Sequence, residues 1–287
     1  MSADEGPHAG PAGEGRPPES AGEGRPPESA GAESPPARLS ASGGPGLWLR
    51  AVDVDADGFP RRDCYPYDLP WLGDGCRLEL RGSVTFFVGE NGAGKSTLLE
   101  AIARHGGTHL WHRSKKHIAH HNPHETALAD YLKLEWAADS VPGGFFSAET
   151  FRDRADFLDD VSLVDPGQMK YYGGRTLTDQ SHGEGLLTYF AGRYRYRGIY
   201  YIDEPESALS PRSQVAFLRL LSEYSSGGHA QFLIATHSPI LMALPGAQIL
   251  LFSRDEVREV AYQETDHYRL YREFVLDPEA FLDAGQG

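Results

Sequence analysis

The residues best suited by type and spacing to do chemistry are Gly89-Glu90-Asn91-Gly92-Ala93-Gly94-Lys95-Ser96-Thr97. They fit G-x-x-x-x-G-K-[ST], a loop that holds a triphosphate. The glycines let backbone N–H groups turn inward around the anion. A helix starting near Lys95 points its positive end at the phosphates. Lys95 adds a mobile cation for the β and γ phosphates, and the Ser96 hydroxyl is a candidate Mg²⁺ ligand. A second chemical element is the pair Asp203 and Glu204, which closes the apolar run Ile199-Tyr200-Tyr201-Ile202. Asp203 is a candidate Mg²⁺ ligand through water, and Glu204 a candidate base for an attacking water.

Elements to position these groups are legible on both sides. Val84-Thr85-Phe86-Phe87-Val88 is a continuous apolar run stopping at Gly89, as expected of a strand buried on both faces. Residues 96–105 read as a helix with Leu98, Leu99 and Ile102 on one face. Short strands are expected at 47–54 and 76–81, and helical stretches at 126–137 and 149–160. Further along, the pattern predicts helices at 183–194 and 211–224, and strands at 199–203, 231–236, 248–252 and 257–262. A Tyr/Arg-rich helix follows. Strands alternating with helices predict an α/β fold with a mostly parallel sheet. The expected arrangement adds a small antiparallel β subdomain within 47–88 and a helical subdomain within 106–195.

Four segments in order resemble an ABC-type ATPase: 89–97 (GENGAGKST), 180–185 (QSHGEG), 202–210 (IDEPESALS) and 235–240 (ATHSPI). They look like its Walker A, signature, Walker B with D-loop, and switch-histidine motifs. The sequence is most similar to small stand-alone bacterial ATPases of the ABC superfamily, often labelled AAA family ATPases. The likeness spans roughly residues 47–285 and includes Glu264-Thr265-Asp266-His267-Tyr268. It implies that ATP and Mg²⁺ bind at residues 89–97 and Asp203, and that Glu204 is the general base. His237 would contact the γ-phosphate and align Glu204 with water. Ser181, Gly183 and Glu184 would reach ATP on a second copy of the chain in a nucleotide-sandwich homodimer, with Ser207 to Leu209 at that boundary.

Departures from the family pattern bear on this expectation. His182 stands where a glycine is usual, and Glu184 where a glutamine is common. A polar helix cap is the other reading of Gln180-Ser181-His182-Gly183-Glu184-Gly185. No clear Q-loop glutamine lies between the phosphate loop and the signature; Glu149 is the candidate for its place, a helix-start acid the other reading. An aromatic that stacks on adenine is expected among Tyr65, Tyr67 and Trp71, with core packing the use of at least two.

Composition narrows the uses. The net charge is −14 and the pI about 5.3, which disfavours nucleic acid and anionic membrane as partners. Residues 1–46 are rich in Gly, Pro, Ala, Glu and Ser, repeat AGEGRPPES at 12–20 and 21–29, and contain almost no large apolar residue. A disordered tail is expected there, with the ATPase domain at 47–287. Neither a signal peptide nor an apolar run of about 18 residues is present, so a cytoplasmic protein without membrane insertion is expected. Cys64 and Cys76 show no metal or redox spacing. Seven of twelve histidines fall within 105–124, where a solvated polar insertion is the ordinary reading and a metal site the other. Arg193-Tyr194-Arg195-Tyr196-Arg197 reads as a helix end rather than a nucleic-acid patch.

Three uses of such an ATPase compete. One is a soluble switch acting on an unknown protein partner. A second is a DNA repair or chromosome-maintenance ATPase, for which the span between phosphate loop and signature is too short for coiled-coil arms. A third is the ATP-binding subunit of a membrane transporter, for which a Q-loop is normally needed.

Overall fold

The computed structural model describes residues 46–73, 75–110, 124, 126–137 and 141–283. The predicted tail therefore lies outside the described residues, save Gly46, as does most of the histidine-rich stretch. In chain order the elements are β1 (Leu49–Val54), β2 (Cys76–Glu79), β3 (Val84–Gly89), α1 (Lys95–His105), β4 (Leu132–Trp136), β5 (Gly143–Ser147) and α2 (Phe151–Val164). Then come α3 (His182–Arg193), β6 (Gly198–Asp203), α4 (Pro211–Ser226), β7 (Ala230–Ala235), α5 (Pro239–Met242), β8 (Gln248–Phe252), β9 (Val257–Glu259), α6 (Asp266–Leu276) and α7 (Pro278–Asp283).

The α/β expectation holds. Six strands form one sheet in the order β5-β6-β7-β3-β8-β9, parallel except for the antiparallel β8–β9 pair. β3 and β7 are buried at every position, as strands covered on both faces must be. On one side of the sheet, Phe87, Tyr201 and Leu233 pack with Leu98, Leu99 and Ile102 of α1. On the other, Phe86, Ile202 and Ile234 pack with Phe190 of α3 and Phe217 of α4. Full burial of Leu98, Leu99 and Ile102 contributes on the order of 5–9 kcal/mol. That is ample to fasten the helix that follows the loop.

Four expectations are corrected. The antiparallel sheet is β2-β1-β4, so its third strand comes from 132–136, and Val84–Gly89 belongs to the main sheet. The predicted helix at 126–137 is a short 3-10 turn (Ala127–Tyr131) followed by β4, whose Leu132-Lys133-Leu134-Glu135-Trp136 alternates with the strand period of two. The region 106–195 is helical only in part, because β5 also lies within it, as an edge strand beside β6. Gly143 and Gly144 there allow close approach: a Cβ at Gly143 would sit 2.1 Å from Thr108 Oγ1, and one at Gly144 3.2 Å from the Tyr200 ring. The strand expected at 257–262 stops at Glu259.

The 193–197 segment is spent on structure. α3 ends at Arg193, Arg193 and Tyr194 are buried, and the Arg197 guanidinium lies 4.2 Å from the Trp48 ring centre. The two cysteines are unbridged, and burial pushes the Cys76 thiol up to about 11.

Candidate nucleotide site

Parallel strands present their carboxyl ends on one edge of the sheet, where open α/β folds bind ligands. Here β3 delivers the loop 89–94, β6 delivers Asp203 and Glu204, and β7, between them, delivers His237. Backbone bonds lock the three ends together. Thr236 N–H donates to Phe87 O at 3.1 Å, and Glu204 N–H donates to Ala235 O at 2.9 Å. A cavity of about 600 Å³ opens there. It is lined by Asn91, Gly92, Gly94, Lys95, Ser96 and Thr97, with Tyr65, Glu204, Glu206, Ser207 and His237 opposite.

The loop takes the shape its glycines permit. Gly92 and Gly94 have φ of 79° and 87°, and Gly94 is the residue from which α1 starts. Trp71 Nε1 donates to Ala93 O at 2.9 Å, pinning the loop from the antiparallel side. Lys95 is buried and folds back: its Nζ donates to Gly89 O at 2.9 Å and Glu90 O at 2.8 Å. Burial lowers its pKa, while Glu204 and Asp203 oppose that shift. A buried ammonium beside inward-turned N–H groups attracts a polyanion strongly.

Ser96 Oγ donates to Asp203 Oδ1 at 2.7 Å across 107 residues of sequence. Burial pushes the Asp203 carboxyl up to about 7. A buried carboxylate joined to a hydroxyl, with more acids nearby, is the donor set a hard divalent cation takes, so Mg²⁺ fits at Ser96 and Asp203. Without that cation the charge is a burden on the fold. The native pKa lies above the unfolded one, so the cost is absent below about pH 4, grows up to about pH 7 and is full above it. Asp203→Asn, in EDTA and without nucleotide, is expected to stabilise the protein by about 2–4 kcal/mol at pH 8. The melting temperature should rise by several degrees at pH 8, with the gap closing by pH 4. Equal melting temperatures at both pH values would contradict the burial of an ionised Asp203.

Glu204 has φ 46° and ψ 52°, the one described non-glycine residue with positive φ. That conformation costs about 1–2 kcal/mol. It swings the side chain out of the strand path toward the cavity, where Oε1 stands 3.8 Å from His237 Nε2 and Oε2 3.5 Å from Ser207 Oγ. His237 is itself held by its backbone, whose N–H donates to Glu206 Oε1 at 2.5 Å. Burial raises the Glu206 carboxyl, while hydrogen bonds from the His237 backbone and the Thr236 side chain oppose that shift. Sequence reasoning assigned Glu206 no role. The one signal was a second acid two residues after Glu204, and only the turn at Pro205–Ala208 aims it back at the loop of His237.

The expected residues do not all converge. Ser181, Gly183 and Glu184 sit at the start of α3 and do not line this chain's cavity. Glu184 Oε2 accepts from Ser181 N–H at 3.3 Å and from Ser181 Oγ at 2.6 Å, so the polar-cap reading holds within one chain. Gly183 faces Ala208 O and Ser213 Oγ, beside the 205–208 turn. Glu149 is exposed and outside the cavity lining, although β5 ends at Ser147 in register with Asp203. Of the three aromatics, Trp71 and Tyr67 are buried in the core, Trp71 edge-on to Phe252. Tyr65 alone lines the cavity, its hydroxyl paired with that of Thr97. His105, in the histidine-rich stretch, closes α1 with Nδ1 2.7 Å from Ala129 O.

A glycine-rich loop of phosphate-binding pattern, a buried strand-end carboxylate and a glutamate after it, on the carboxyl edge of a mostly parallel sheet, are the arrangement of a P-loop nucleoside-triphosphate protein. A family model described as "AAA domain, putative AbiEii toxin, Type IV TA system" matches residues 136–243, and a second described as "AAA domain" matches 70–105. The second match contains the loop 89–97, and the first contains Asp203, Glu204 and His237. The cytochrome c biogenesis ATP-binding export protein CcmA of Rhodopseudomonas palustris strain BisB5 is 29% identical over 187 residues, covering 59% of this chain and 86% of the relative. The CcmA of strain HaA2 is 29% identical over 180 residues, covering 58% and 84%. Among solved structures, cbiO1 from Clostridium perfringens, part of the ABC transporter complex cbiONQ, is 16% identical with a TM-score of 0.42, covering 72% of this chain and 89% of that one. The SMC head domain from Thermotoga maritima is 15% identical with a TM-score of 0.40, covering 75% and 98%. The chain is thus similar to P-loop ATPases, matching AAA-domain models in two segments and ABC-type ATP-binding export proteins over 59% of its length. Among the described residues, no helix is long and apolar enough to cross a membrane.

Proposed function

We propose that this protein binds Mg-ATP in the cavity at residues 89–97 and hydrolyses it to ADP and phosphate, acting as a nucleotide-sandwich homodimer that switches a partner protein. The observation that carries this reading is the meeting of Lys95, Ser96, Glu204 and His237 around one cavity, with Asp203 hydrogen-bonded to Ser96. Lys95 exchanges its two carbonyl partners for phosphate oxygens. Ser96 and Asp203 would hold Mg²⁺, which when bound would supply neutralisation of the phosphate charge. Glu204 orients a water and takes its proton as the water oxygen bonds the γ-phosphorus and the bond to the β-bridging oxygen breaks. His237 donates to the γ-phosphate and keeps Glu204 in line.

Ser181, Gly183 and Glu184 lie outside their own chain's cavity, which supports their use on a second chain's ATP. There the start of α3 offers N–H groups to the γ-phosphate, with the 205–208 turn beside it. The reading is of a cytoplasmic protein, which the unbridged thiols of Cys64 and Cys76 support. The test is phosphate release from ATP by the purified protein with Mg²⁺ and with excess EDTA. Release with Mg²⁺ that EDTA abolishes is expected; no release above a protein-free control sinks the hydrolysis reading.

A further inference from the structure

A second histidine stands behind His237. After β9 the chain turns through Tyr262–Glu264 into α6. Thr265 starts that helix: its buried hydroxyl donates to Tyr262 O at 2.8 Å and accepts from Tyr268 N–H at 3.2 Å. The Tyr262 hydroxyl donates to Pro239 O at 2.8 Å, two residues beyond His237. The start of α6 is thus moored to the loop that carries His237. The mooring sets His267 Nε2 3.3 Å from His237 Nδ1, with ring centroids 5.5 Å apart. The outer nitrogens, His237 Nε2 and His267 Nδ1, are buried with no hydrogen-bond partner among the described residues.

A neutral imidazole has one donor nitrogen and one acceptor, and the bond at one nitrogen decides the other. If His237 carried its hydrogen on Nδ1, the nitrogen near Glu204 would be an acceptor facing the carboxylate and, with ATP bound, an anionic phosphate. If His267 donates from Nε2, His237 Nδ1 must accept and Nε2 must carry the hydrogen. We propose that His267 is a positioning residue, fixing His237 as the Nε2–H tautomer and in the rotamer that faces Glu204 and the γ-phosphate. The kinetic consequence rests on the hydrolysis reading above; the tautomer itself does not. Burial, with Lys95 next in weight, lowers both imidazole pKa values, which keeps the pair neutral and the donor direction defined. The device also makes the seating of α6 a condition for aligned catalysis, although no residue of α6 lines the 600 Å³ cavity.

The test has two readouts. His267→Ala should lower kcat by about 10–100-fold, the usual effect of losing the partner that orients a site imidazole, with Kd for ATP changed less than about twofold. His267→Gln, whose amide can donate, should recover most of the rate. Long-range ¹H–¹⁵N spectra of the His237 ring, assigned with His237→Ala, need no turnover. They should show the Nε2–H tautomer in the wild type and a mixture in His267→Ala. Wild-type spectra showing Nδ1–H would overturn the proposal even if no variant folds. So would a kcat and a tautomer population both unchanged in His267→Ala. A wild type that fails to hydrolyse ATP yet loses its Nε2–H tautomer on His267→Ala would sink the hydrolysis reading alone and support the pair.

Discussion

Glu204→Gln is expected to keep ATP bound and to slow hydrolysis by about 10²–10⁴-fold, the range in which a positioned general base acts. Glutamine keeps the length and planarity of the side chain, so the contacts with Ser207 and His237 lose charge but not shape. The residue's left-handed backbone is unaffected by the swap, since both residues bear the same steric cost. ATP that cannot be cleaved should then accumulate between two chains. Light scattering should report the mass of two chains in Mg-ATP and of one chain without it. Adding Ser181→Arg should undo the trap, because bulk at the start of α3 would stand where the second chain's phosphate must approach. Wild-type turnover by Glu204→Gln would place the base elsewhere. A single-chain mass at saturating Mg-ATP would leave 180–185 as a helix cap and nothing more.

Lys95→Ala should weaken ATP binding by about 10–100-fold, the equivalent of losing charged hydrogen bonds worth ~1.5–3 kcal/mol. In the present structure Nζ is held by two carbonyls of its own loop, so the side chain is already positioned and little ordering entropy opposes the switch to phosphate. The fold should survive, because α1 is fastened by Leu98, Leu99 and Ile102 rather than by Lys95. Equilibrium titration with a fluorescent ATP analogue at fixed Mg²⁺, beside a thermal melt, checks both parts. Unchanged affinity in a folded variant would remove the phosphate loop from the account.

The groups legible in the sequence are those whose geometry is set locally. Six residues of glycine spacing and one lysine define the loop at 89–97 wherever it occurs, and an apolar run closed by two acids marks a strand end. Asp203 meets Ser96 because one ends and the other follows a parallel strand of the same sheet, whatever the long chain between them does. What stayed hidden depends on tertiary placement. Glu206 matters through the backbone N–H of His237, and His267 through a ring 30 residues away. Neither has a spacing rule. β5 escaped notice because two of its five residues are glycines whose purpose is close approach to Thr108 and Tyr200. β4 was blurred by the helix-compatible Ala127-Leu128-Ala129 just before it, although its own alternation was plain.

The most direct test of the composite ATP site is the rate of phosphate release from saturating Mg-ATP, measured on the wild-type protein across a wide range of concentration. A site completed by a second chain predicts a rate per chain that climbs with protein concentration and then levels off. A rate per chain that is constant from the lowest concentration, in a protein that remains a monomer, would contradict it.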